Sequence, residues 1–366
     1  MKSAFRIAIL GDDFTPSVLF EDALRQALDF WPGELVFTAA DMTPDDLVPY
    51  VSDEVHEAFG SPAEVARLAE GAHLLVTTFA PVTAEMLDRV PGLIAVVCGR
   101  GGPVNVNVAA ASRRGIPVLN APGRNAQAVA EFTLAGMISL MRRIPATIDY
   151  VRGGAWDTAR EDTFEKPSGP ELAGKTVGLL GFGHIGRLVA RLVAAFGARL
   201  LVCDPQVERD AIEAEGCEKV ALDRLLAEAD VISLHARLPE GAPPLLGEAE
   251  FARMKRRPYL INTARAAALD HDALLRALEA GTLSGALLDV YPEEPLAKDG
   301  PLFRAISDRL LLTPHAAGVS RDIPGRTARI VAEGVASLLR GEAPAHVANP
   351  ETVANCLARL EALRGG

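Results

Sequence analysis

The chain has 366 residues, of which 49% are hydrophobic and 23% charged, and its formal net charge is −11. This length exceeds what one hydrophobic core usually serves, so we expect two domains. The acidic balance disfavours a nucleic-acid binder, which needs clustered Lys and Arg to neutralise phosphates, and the apolar runs are too short to span a membrane.

The first residues do not resemble a secretory leader, because the apolar run Ile7–Leu10 is short and is followed by Gly11, Asp12 and Asp13. The four cysteines lie far apart in sequence, at Cys98, Cys203, Cys217 and Cys356. We therefore expect free thiols in a reducing cytoplasm, with neither a disulfide framework nor a metal site.

The first hundred residues alternate buried strands with amphipathic helices. Apolar runs predict strands over Phe5–Leu10, Leu74–Thr78 and Leu93–Cys98, and helical periodicity predicts helices over Phe20–Leu28 and Pro62–Ala69. This alternation is typical of a parallel sheet covered by helices.

Asn120–Gly123 then interrupts the chain, and a long apolar helix is predicted over Ala126–Arg143. After a loop at Gly153–Gly169 the alternation restarts, with a helix over Ile185–Phe196. Strands are predicted over Val177–Leu180, Arg199–Cys203, Ala229–His235, Tyr259–Asn262, Ala286–Asp289 and Leu310–Thr313. A second doubly wound sheet therefore spans about residues 120–315. A last long helix, Ile323–Leu339, is expected to return to the first domain, and Leu357–Gly366 to form a short fraying helix.

A glycine-rich turn lies between the first strand and first helix of this second sheet. Gly181, Gly183 and Gly186 fit the spacing G-x-G-x-x-G, with His184 and Ile185 between the last two. In this strand–turn–helix setting, the first glycine permits the tight turn and the second admits a pyrophosphate. The third packs helix against strand, and the helix N-terminus attracts the phosphates. The turn predicts a dinucleotide site.

Asp204 ends the next strand, 18 residues beyond Gly186. A carboxylate there accepts hydrogen bonds from ribose hydroxyls and repels a 2′-phosphate, which favours NAD over NADP. Arg209 lies close enough in sequence to leave NADP open.

Four ordered motifs carry a family resemblance. They are Leu172–Gly181, Asn262–Arg265, Leu288–Pro295 and Leu312–His315, and Gly115–Gly123 adds to them. These segments resemble the D-isomer-specific 2-hydroxyacid dehydrogenases, and the resemblance runs from about Leu74 to Leu339.

The resemblance implies hydride exchange between NAD(H) and C2 of a short 2-oxo or 2-hydroxy acid. It implies that Arg265 binds the substrate carboxylate and polarises its carbonyl, and that His315 is the acid–base group. It assigns Glu294, rather than Glu293, as the carboxylate that stabilises the protonated imidazole, because the family has a glutamate immediately before proline.

The resemblance also implies further cofactor contacts, from Asp289 to the nicotinamide carboxamide and from the backbone of Thr263 and Ala264. His184 contributes backbone within the glycine loop. His235 either borders the cofactor or only packs in the fold. The other histidines are expected to be solvated, namely His56, His73, His271 and His346.

Two loops of the first domain are substrate candidates. Gly101 and Gly102 offer a backbone cradle for a carboxylate, with Arg100 as an added cation. Thr78 lies in the other loop, 77–81, where phosphoglycerate-oxidising relatives tend to place arginines and this chain has none. We therefore expect a glyoxylate, hydroxypyruvate or sugar-acid substrate, with 3-phosphoglycerate as the alternative.

The predicted architecture is α/β, with two doubly wound parallel-sheet domains. A Rossmann-type NAD-binding domain (121–315) is inserted into a discontinuous flavodoxin-like catalytic domain (1–120 plus 316–366). The helix at Ala126–Arg143 resembles the family's dimer-forming element, so a homodimer is expected. A corepressor-like NAD(H)-sensing protein and an enzyme of another reaction on this scaffold, such as phosphite oxidation, remain alternatives.

Overall fold

A computed structural model gives the fold of residues 4–42, 48–154, 156, 168–239 and 241–365. The chain divides into two compact units. The first unit comprises Met1–Arg124 together with Arg321–Gly366, and the second comprises Asn125–Ser320. The second unit is thus an insertion in the sequence of the first.

The first unit is built on a parallel sheet of five strands in the described residues, ordered β2-β1-β5-β6-β7. Its strands are β1 (Phe5–Gly11), β2 (Leu35–Asp41), β5 (Leu74–Thr77), β6 (Ala95–Cys98) and β7 (Val118–Asn120). A small antiparallel pair, β3 (Pro49–Tyr50) and β4 (Ala58–Phe59), lies apart from this sheet. The central strands β5 and β6 are continuous apolar runs because helices bury both faces of the sheet.

Helices cover the two faces of this sheet. They are α1 (Ser17–Ala27), α2 (Pro62–Leu68), α3 (Ala84–Arg89), α4 (Val108–Arg113), α13 (Ile323–Arg340) and α14 (Val353–Gly365). On one face Phe20 and Leu24 of α1 pack with Val331 and Val335 of α13. On the other, α2, α3 and α4 form a second core. Thr83 begins α3 by accepting a hydrogen bond from Met86 N at 3.2 Å.

The C-terminal segment completes this unit. Asn349 is 2% exposed, accepts a hydrogen bond from Val118 N at 2.7 Å and donates one to Ile116 O at 2.9 Å. The last strand of the sheet is thereby joined to a residue more than two hundred positions later in the chain.

The second unit contains a seven-stranded parallel sheet in the described residues, ordered β10-β9-β8-β11-β12-β13-β14. The strands are β8 (Thr176–Leu180), β9 (Arg199–Cys203), β10 (Glu218–Lys219), β11 (Val231–Leu234), β12 (Tyr259–Asn262), β13 (Gly285–Leu288) and β14 (Leu310–Leu312). The helices are α5 (Ala126–Met141), α6 (Ile144–Arg152), α7 (His184–Ala194), α8 (Arg209–Glu213), α9 (Leu222–Glu228), α10 (Glu248–Ala252), α11 (His271–Glu279) and α12 (Pro301–Arg304). Helices α5 and α7 pack on one face of the sheet, and α9, α10 and α11 on the other.

The two strand orders confirm the predicted fold class. Counted within each sheet, the first follows the flavodoxin order 2-1-3-4-5, and the second follows the Rossmann order 3-2-1-4-5-6 with one more strand. In both units the carboxyl ends of the parallel strands meet at one edge, where ligands of such sheets bind.

Several predicted boundaries were wrong. The helix predicted to reach Arg143 ends at Met141, because Arg143 adopts a left-handed backbone with φ of 52°. The C-terminal helix begins at Val353, four residues before the predicted start. The predicted loop Gly153–Gly169 lies largely outside the described residues. Within the described part of the chain, no helix has the length and apolar character needed to cross a membrane.

Candidate functional site

The glycine loop follows β8 and opens α7. Gly181 has a positive φ of 99°, and a Cβ on it would lie 2.5 Å from Ala236 N. A Cβ on Gly186 would lie 2.4 Å from Gly181 O, so this position packs helix against loop. At Gly183, in contrast, a Cβ would meet nothing within 4 Å. Open space above a backbone at a helix N-terminus fits the pyrophosphate of a dinucleotide.

Asp204 lies beside this loop at the end of β9. Its Oδ2 accepts a hydrogen bond from Phe182 N at 2.7 Å, and its Oδ1 accepts one from Gln206 N at 2.8 Å. Arg209, the residue that left NADP open, pairs with Glu213 at 3.0 Å and donates to Lys219 O. The carboxylate is therefore fixed at the loop while the nearby arginine is engaged elsewhere, which favours NAD.

Three other predicted cofactor residues lie around the loop. His184 and Ile185 form the first turn of α7. His235 follows β11, and its Cβ lies 3.7 Å from the position of a Cβ on Gly186. Its Nε2 is 2.9 Å from Ser233 Oγ. Burial lowers the pKa of His235 to about 4, so the ring is neutral at physiological pH.

The turn after β12 carries the next predicted group. Asn262 ties the turn together, because its side chain accepts from Ala264 N at 3.1 Å and donates to Arg265 O at 3.0 Å. Thr263 Oγ1 is 2.8 Å from Thr133 Oγ1, so α5 and this turn are joined. Arg265 is exposed, and its guanidinium donates a hydrogen bond to Ala264 O of its own turn at 2.8 Å. Its guanidinium keeps donors for a carboxylate ligand.

His315 and Glu294 form a hydrogen-bonded pair, with 2.7 Å between His315 Nδ1 and Glu294 Oε2. Glu294 Oε1 accepts from Tyr291 N at 3.0 Å, which orients the carboxylate. Burial alone would raise the pKa of Glu294, but the bonds from His315 and Tyr291 and the charge of Arg265 outweigh it and lower that pKa. The Nε2 side of the imidazole is left for a ligand, and the ring is 53% exposed.

The loop that carries His315 is held by Asp289. This carboxylate is 1% exposed; its Oδ1 accepts from Ala316 N at 2.9 Å and its Oδ2 from Ala317 N at 2.8 Å. His315 itself has a left-handed φ of 52°, which is unfavourable for a side chain with a Cβ and is maintained by these bonds. A contact from Asp289 to the nicotinamide carboxamide stays a prediction.

Sequence analysis gave no role to Tyr291. Its hydroxyl donates to Leu288 O at 2.9 Å and lies 2.7 Å from Thr313 O, so it joins the ends of β13 and β14. Burial raises the pKa of this phenol to about 12. An open cavity of about 660 Å³ begins at the His315–Glu294 pair and continues past Tyr291 to Phe303.

The first unit holds the predicted substrate loops. Thr78, the first residue after β5, is fully buried. The guanidinium of Arg100 pairs with Glu57 and lies 5.0 Å from the centre of the Phe79 ring. Gly101 lies against Pro122, and Gly102 faces open space. Glu57 therefore takes up much of the positive charge that Arg100 was expected to offer a substrate.

Two histidines expected to be solvated are half-buried instead. His73 Nδ1 accepts a hydrogen bond from Arg6 N at 2.9 Å, and its ring stacks on Phe5. His271 begins α11, and burial lowers its pKa as it does that of His73. Both histidines pack within the fold, and no motif in the sequence indicated that they would.

Known proteins resemble the chain in sequence and in structure. Residues 134–317 match the model of the family described as D-isomer specific 2-hydroxyacid dehydrogenase, NAD binding domain. A glyoxylate reductase of Korarchaeum cryptofilum is 38% identical over 274 residues, which cover 75% of this chain and 81% of that protein.

Two further relatives extend this comparison. A D-3-phosphoglycerate dehydrogenase of Archaeoglobus fulgidus is 34% identical over 268 residues, covering 73% of this chain and 49% of the relative. The crystal structure of a D-lactate dehydrogenase of Treponema pallidum superimposes with a TM-score of 0.72 at 25% identity, covering 94% of this chain and 99% of the other.

Proposed function

The chain belongs to the D-isomer-specific 2-hydroxyacid dehydrogenase family and is an NAD-dependent oxidoreductase, and on that premise we propose that it reduces a short, unphosphorylated 2-oxo acid of the glyoxylate or hydroxypyruvate type. The observation that carries this proposal is the 2.7 Å pair of His315 and Glu294, with the charge of Arg265 acting on the same carboxylate. In this proposal His315 supplies the proton, Glu294 orients the imidazole that carries it, and Arg265 binds the carboxylate of the substrate.

In the proposed reduction, His315 donates a proton from Nε2 to the carbonyl oxygen of the substrate. NADH, when bound, supplies hydride to C2. The hydrogen bond between Nδ1 and Glu294 fixes the orientation of the ring and leaves the proton on Nε2 for transfer. Arg265 binds the substrate carboxylate and polarises the carbonyl through its guanidinium donors. The net change is a 2-oxo acid, NADH and one proton converted to a 2-hydroxy acid and NAD⁺.

The positive side chains of the first unit support the proposal that the substrate has no phosphate group. Arg100 pairs with Glu57, and the loop at 77–81 has no arginine or lysine. A phosphate buried without cationic partners is strongly disfavoured. The relatives include both glyoxylate reductases and D-3-phosphoglycerate dehydrogenases, so the substrate choice rests on these side chains.

An NADH-oxidation assay with glyoxylate, hydroxypyruvate and phosphohydroxypyruvate tests this proposal. We expect the two unphosphorylated acids to have the higher kcat/KM, and His315→Asn to remove turnover while NADH still binds. Preference for phosphohydroxypyruvate would establish the phosphoglycerate alternative instead. NADH binding without turnover of any 2-oxo acid would favour an NAD(H)-sensing role.

We also propose that the protein is a homodimer. Helix α6 has no buried residue, and Ile144, Ile148 and Val151 form an exposed apolar stripe at helical spacing. Beside it, an apolar cavity of about 390 Å³ is lined by Phe132, Pro145 and residues of β14. A second copy of the same face would cover both. A cytoplasmic location is proposed from the four cysteines, all of which are free thiols.

A further inference from the structure

The backbone carbonyl of Thr313 holds the main chain of the residue proposed to transfer the proton. Thr313 O accepts a hydrogen bond from His315 N at 3.0 Å, two residues later in the chain. The phenol oxygen of Tyr291 lies 2.7 Å from the same Thr313 O. The backbone N–H of Tyr291 also donates to Glu294 Oε1 at 3.0 Å. Tyr291 therefore contacts the carboxylate of the His315–Glu294 pair with its main chain, and the carbonyl that holds His315 with its side chain.

The hydroxyl of Tyr291 is not needed to satisfy either carbonyl that it contacts. Leu288 O, which lies 2.9 Å from it, already accepts a hydrogen bond from Thr313 N at 3.0 Å. Thr313 O already accepts one from His315 N. A phenol has one proton to donate, so its removal leaves both carbonyls with a backbone donor. The hydroxyl thus adds a constraint, which ties the end of β13 to the segment before His315.

His315 needs such constraints on both sides. Its φ of 52° lies in the left-handed region, which a residue with a Cβ adopts only where its surroundings hold it there. On the C-terminal side, the carboxylate of Asp289 accepts hydrogen bonds from the next two backbone N–H groups. On the N-terminal side, Thr313 is held by Asp289 through its hydroxyl and by Tyr291 through its carbonyl. The direction of the imidazole depends on this backbone conformation.

Burial suits the Tyr291 hydroxyl to a fixed hydrogen bond rather than to proton transfer. Tyr291 is 7% exposed. Burial raises the pKa of its phenol to about 12 against the opposing effect of the bond to Thr313, and the charges of Asp289 and Glu294 add to the rise. The hydroxyl therefore keeps its proton and remains a donor throughout the neutral range.

We propose that Tyr291 is a positioning residue, whose hydroxyl holds the imidazole of His315 against Glu294 through the carbonyl of Thr313. This inference rests on the proposed function and deepens it, because the imidazole held in this way is the one that donates the proton in the proposed reduction. No step of the reaction passes through the phenol, which acts only on the geometry of the His315–Glu294 pair.

The kinetic test uses Tyr291→Phe, which keeps the ring and removes the hydroxyl. We expect kcat for glyoxylate reduction to fall about 10-fold, since an acid that is held less firmly is less often aligned for transfer. KM should change little, because Arg265, the proposed carboxylate anchor, lies on the separate turn after β12. The Kd for NADH, measured by fluorescence titration, should be unchanged.

Ser284→Ala is the matched control. Ser284 Oγ donates to Arg257 O at 2.6 Å and joins the segments just before β13 and β12, at the opposite end of the same sheet. This variant also loses a hydrogen bond from a hydroxyl to a carbonyl between neighbouring strands, so its thermal midpoint should fall at least as much as that of Tyr291→Phe. Its kcat should equal that of the wild-type protein.

A second readout does not depend on turnover. In the ¹H NMR spectrum of the free protein, the proton between His315 Nδ1 and Glu294 Oε2 should give a resonance far downfield, identified by its absence in His315→Asn. Tyr291→Phe should move this resonance upfield or broaden it, because the 2.7 Å hydrogen bond is no longer held in place. Ser284→Ala should leave it unchanged.

The outcomes separate the two proposals. Turnover of glyoxylate with an unchanged kcat in Tyr291→Phe would overturn the inference, while the proposed function stands. Equal falls of kcat in Tyr291→Phe and Ser284→Ala would also overturn it, since the hydroxyl would then serve only the stability of the fold. A displaced resonance in Tyr291→Phe alone, without turnover of any 2-oxo acid by the wild-type protein, would support the positioning of His315 and overturn the proposed reaction.

Discussion

Glu294 divides its two carboxylate oxygens between two tasks. Oε1 accepts from Tyr291 N, three residues after the end of β13, and Oε2 accepts from the ring of His315. The hydrogen bond from Tyr291 orients the carboxylate, and the hydrogen bond between Oε2 and His315 orients the imidazole relative to that carboxylate. Because the pKa of Glu294 is lowered, the carboxylate stays ionised to a lower pH than a free glutamate would.

Replacement of Glu294 by Gln should therefore change the pH dependence of reduction. The wild-type protein should lose activity at low pH as Glu294 becomes protonated, whereas glutamine does not titrate, so this acidic fall of kcat/KM should be absent from the variant. We also expect kcat to fall by about 100-fold near neutrality. The measurement is kcat/KM for reduction between acidic and alkaline pH. Glu293→Gln, one residue earlier, is the control, and an unshifted profile in Glu294→Gln would remove the assigned role.

His235 should make stability depend on pH. Its pKa is lowered from 6.5 to about 4 by burial, so the unfolded chain takes up a proton that the folded chain refuses. Stability from this group is complete above pH 6.5 and is lost as the pH falls toward 4. At pH 5 the loss amounts to about 2 kcal/mol at most.

His235→Gln should remove that dependence while Ser233 keeps a polar neighbour. Thermal unfolding midpoints at pH 7 and pH 5 give the comparison. The midpoint should fall less in the variant than in the wild-type protein, and His56→Gln, which changes an exposed histidine, should behave as the wild type. Equal falls in all three proteins would mean that His235 is protonated in the folded state.

The residues of the candidate site were predictable to different degrees. Arg265, Glu294 and His315 each lie in a segment that resembles a motif of the family, and the structure brings Glu294 and His315 into contact. Tyr291 lies inside such a segment, but its hydroxyl also contacts Thr313 O at the end of the neighbouring strand β14. No local pattern encodes this meeting of two strand ends.

At the scale of elements, the glycine loop before α7 has one glycine that is needed for packing and another that faces the proposed cofactor site. A Cβ on Gly186 would lie 2.4 Å from Gly181 O, whereas one on Gly183 would meet nothing within 4 Å, and Gly183 has an ordinary negative φ. An alanine at Gly186 should therefore impair folding, whereas an alanine at Gly183 should impair cofactor binding.

Gly183→Ala should fold normally and bind NADH at least 10-fold more weakly, because its methyl group occupies the space for the pyrophosphate. Gly186→Ala should lower the thermal midpoint of the free protein, because helix and loop must separate. Fluorescence titration with NADH and thermal unfolding measure the two effects. Normal NADH affinity in a folded Gly183→Ala protein would move the cofactor away from this loop.

The buried elements were the predictable ones. Strand β12 was predicted over its full length because consecutive buried residues, on both faces of the sheet, leave a simple pattern. Strand β2 was missed: it lies at a sheet edge, and most of its side chains are half-buried or exposed. Helix α6 was missed because none of its residues is buried in the part of the chain that the structure describes.

At the scale of the whole molecule, that same helix predicts the assembly state. Ile148 is 45% exposed at the centre of the α6 stripe. Ile148→Asp should place a charge in the proposed interface and convert the dimer to a monomer, while leaving the fold of each copy intact. Light scattering coupled to size-exclusion chromatography measures the mass. Asp149→Ala, on the neighbouring exposed position, is the control, and a wild-type monomer would contradict the proposal.

The discontinuous first unit also sets an order of events on the ribosome. Residues 125–320 emerge as one continuous stretch and can fold as soon as they are released, whereas the first sheet lacks α13 and the bonds from Asn349 until the chain is almost finished. Until then, the apolar face that Val331 and Val335 cover stays open to solvent and to chaperones. The N-terminal third of the chain is translated first, but the unit that it belongs to is the last to reach its native state.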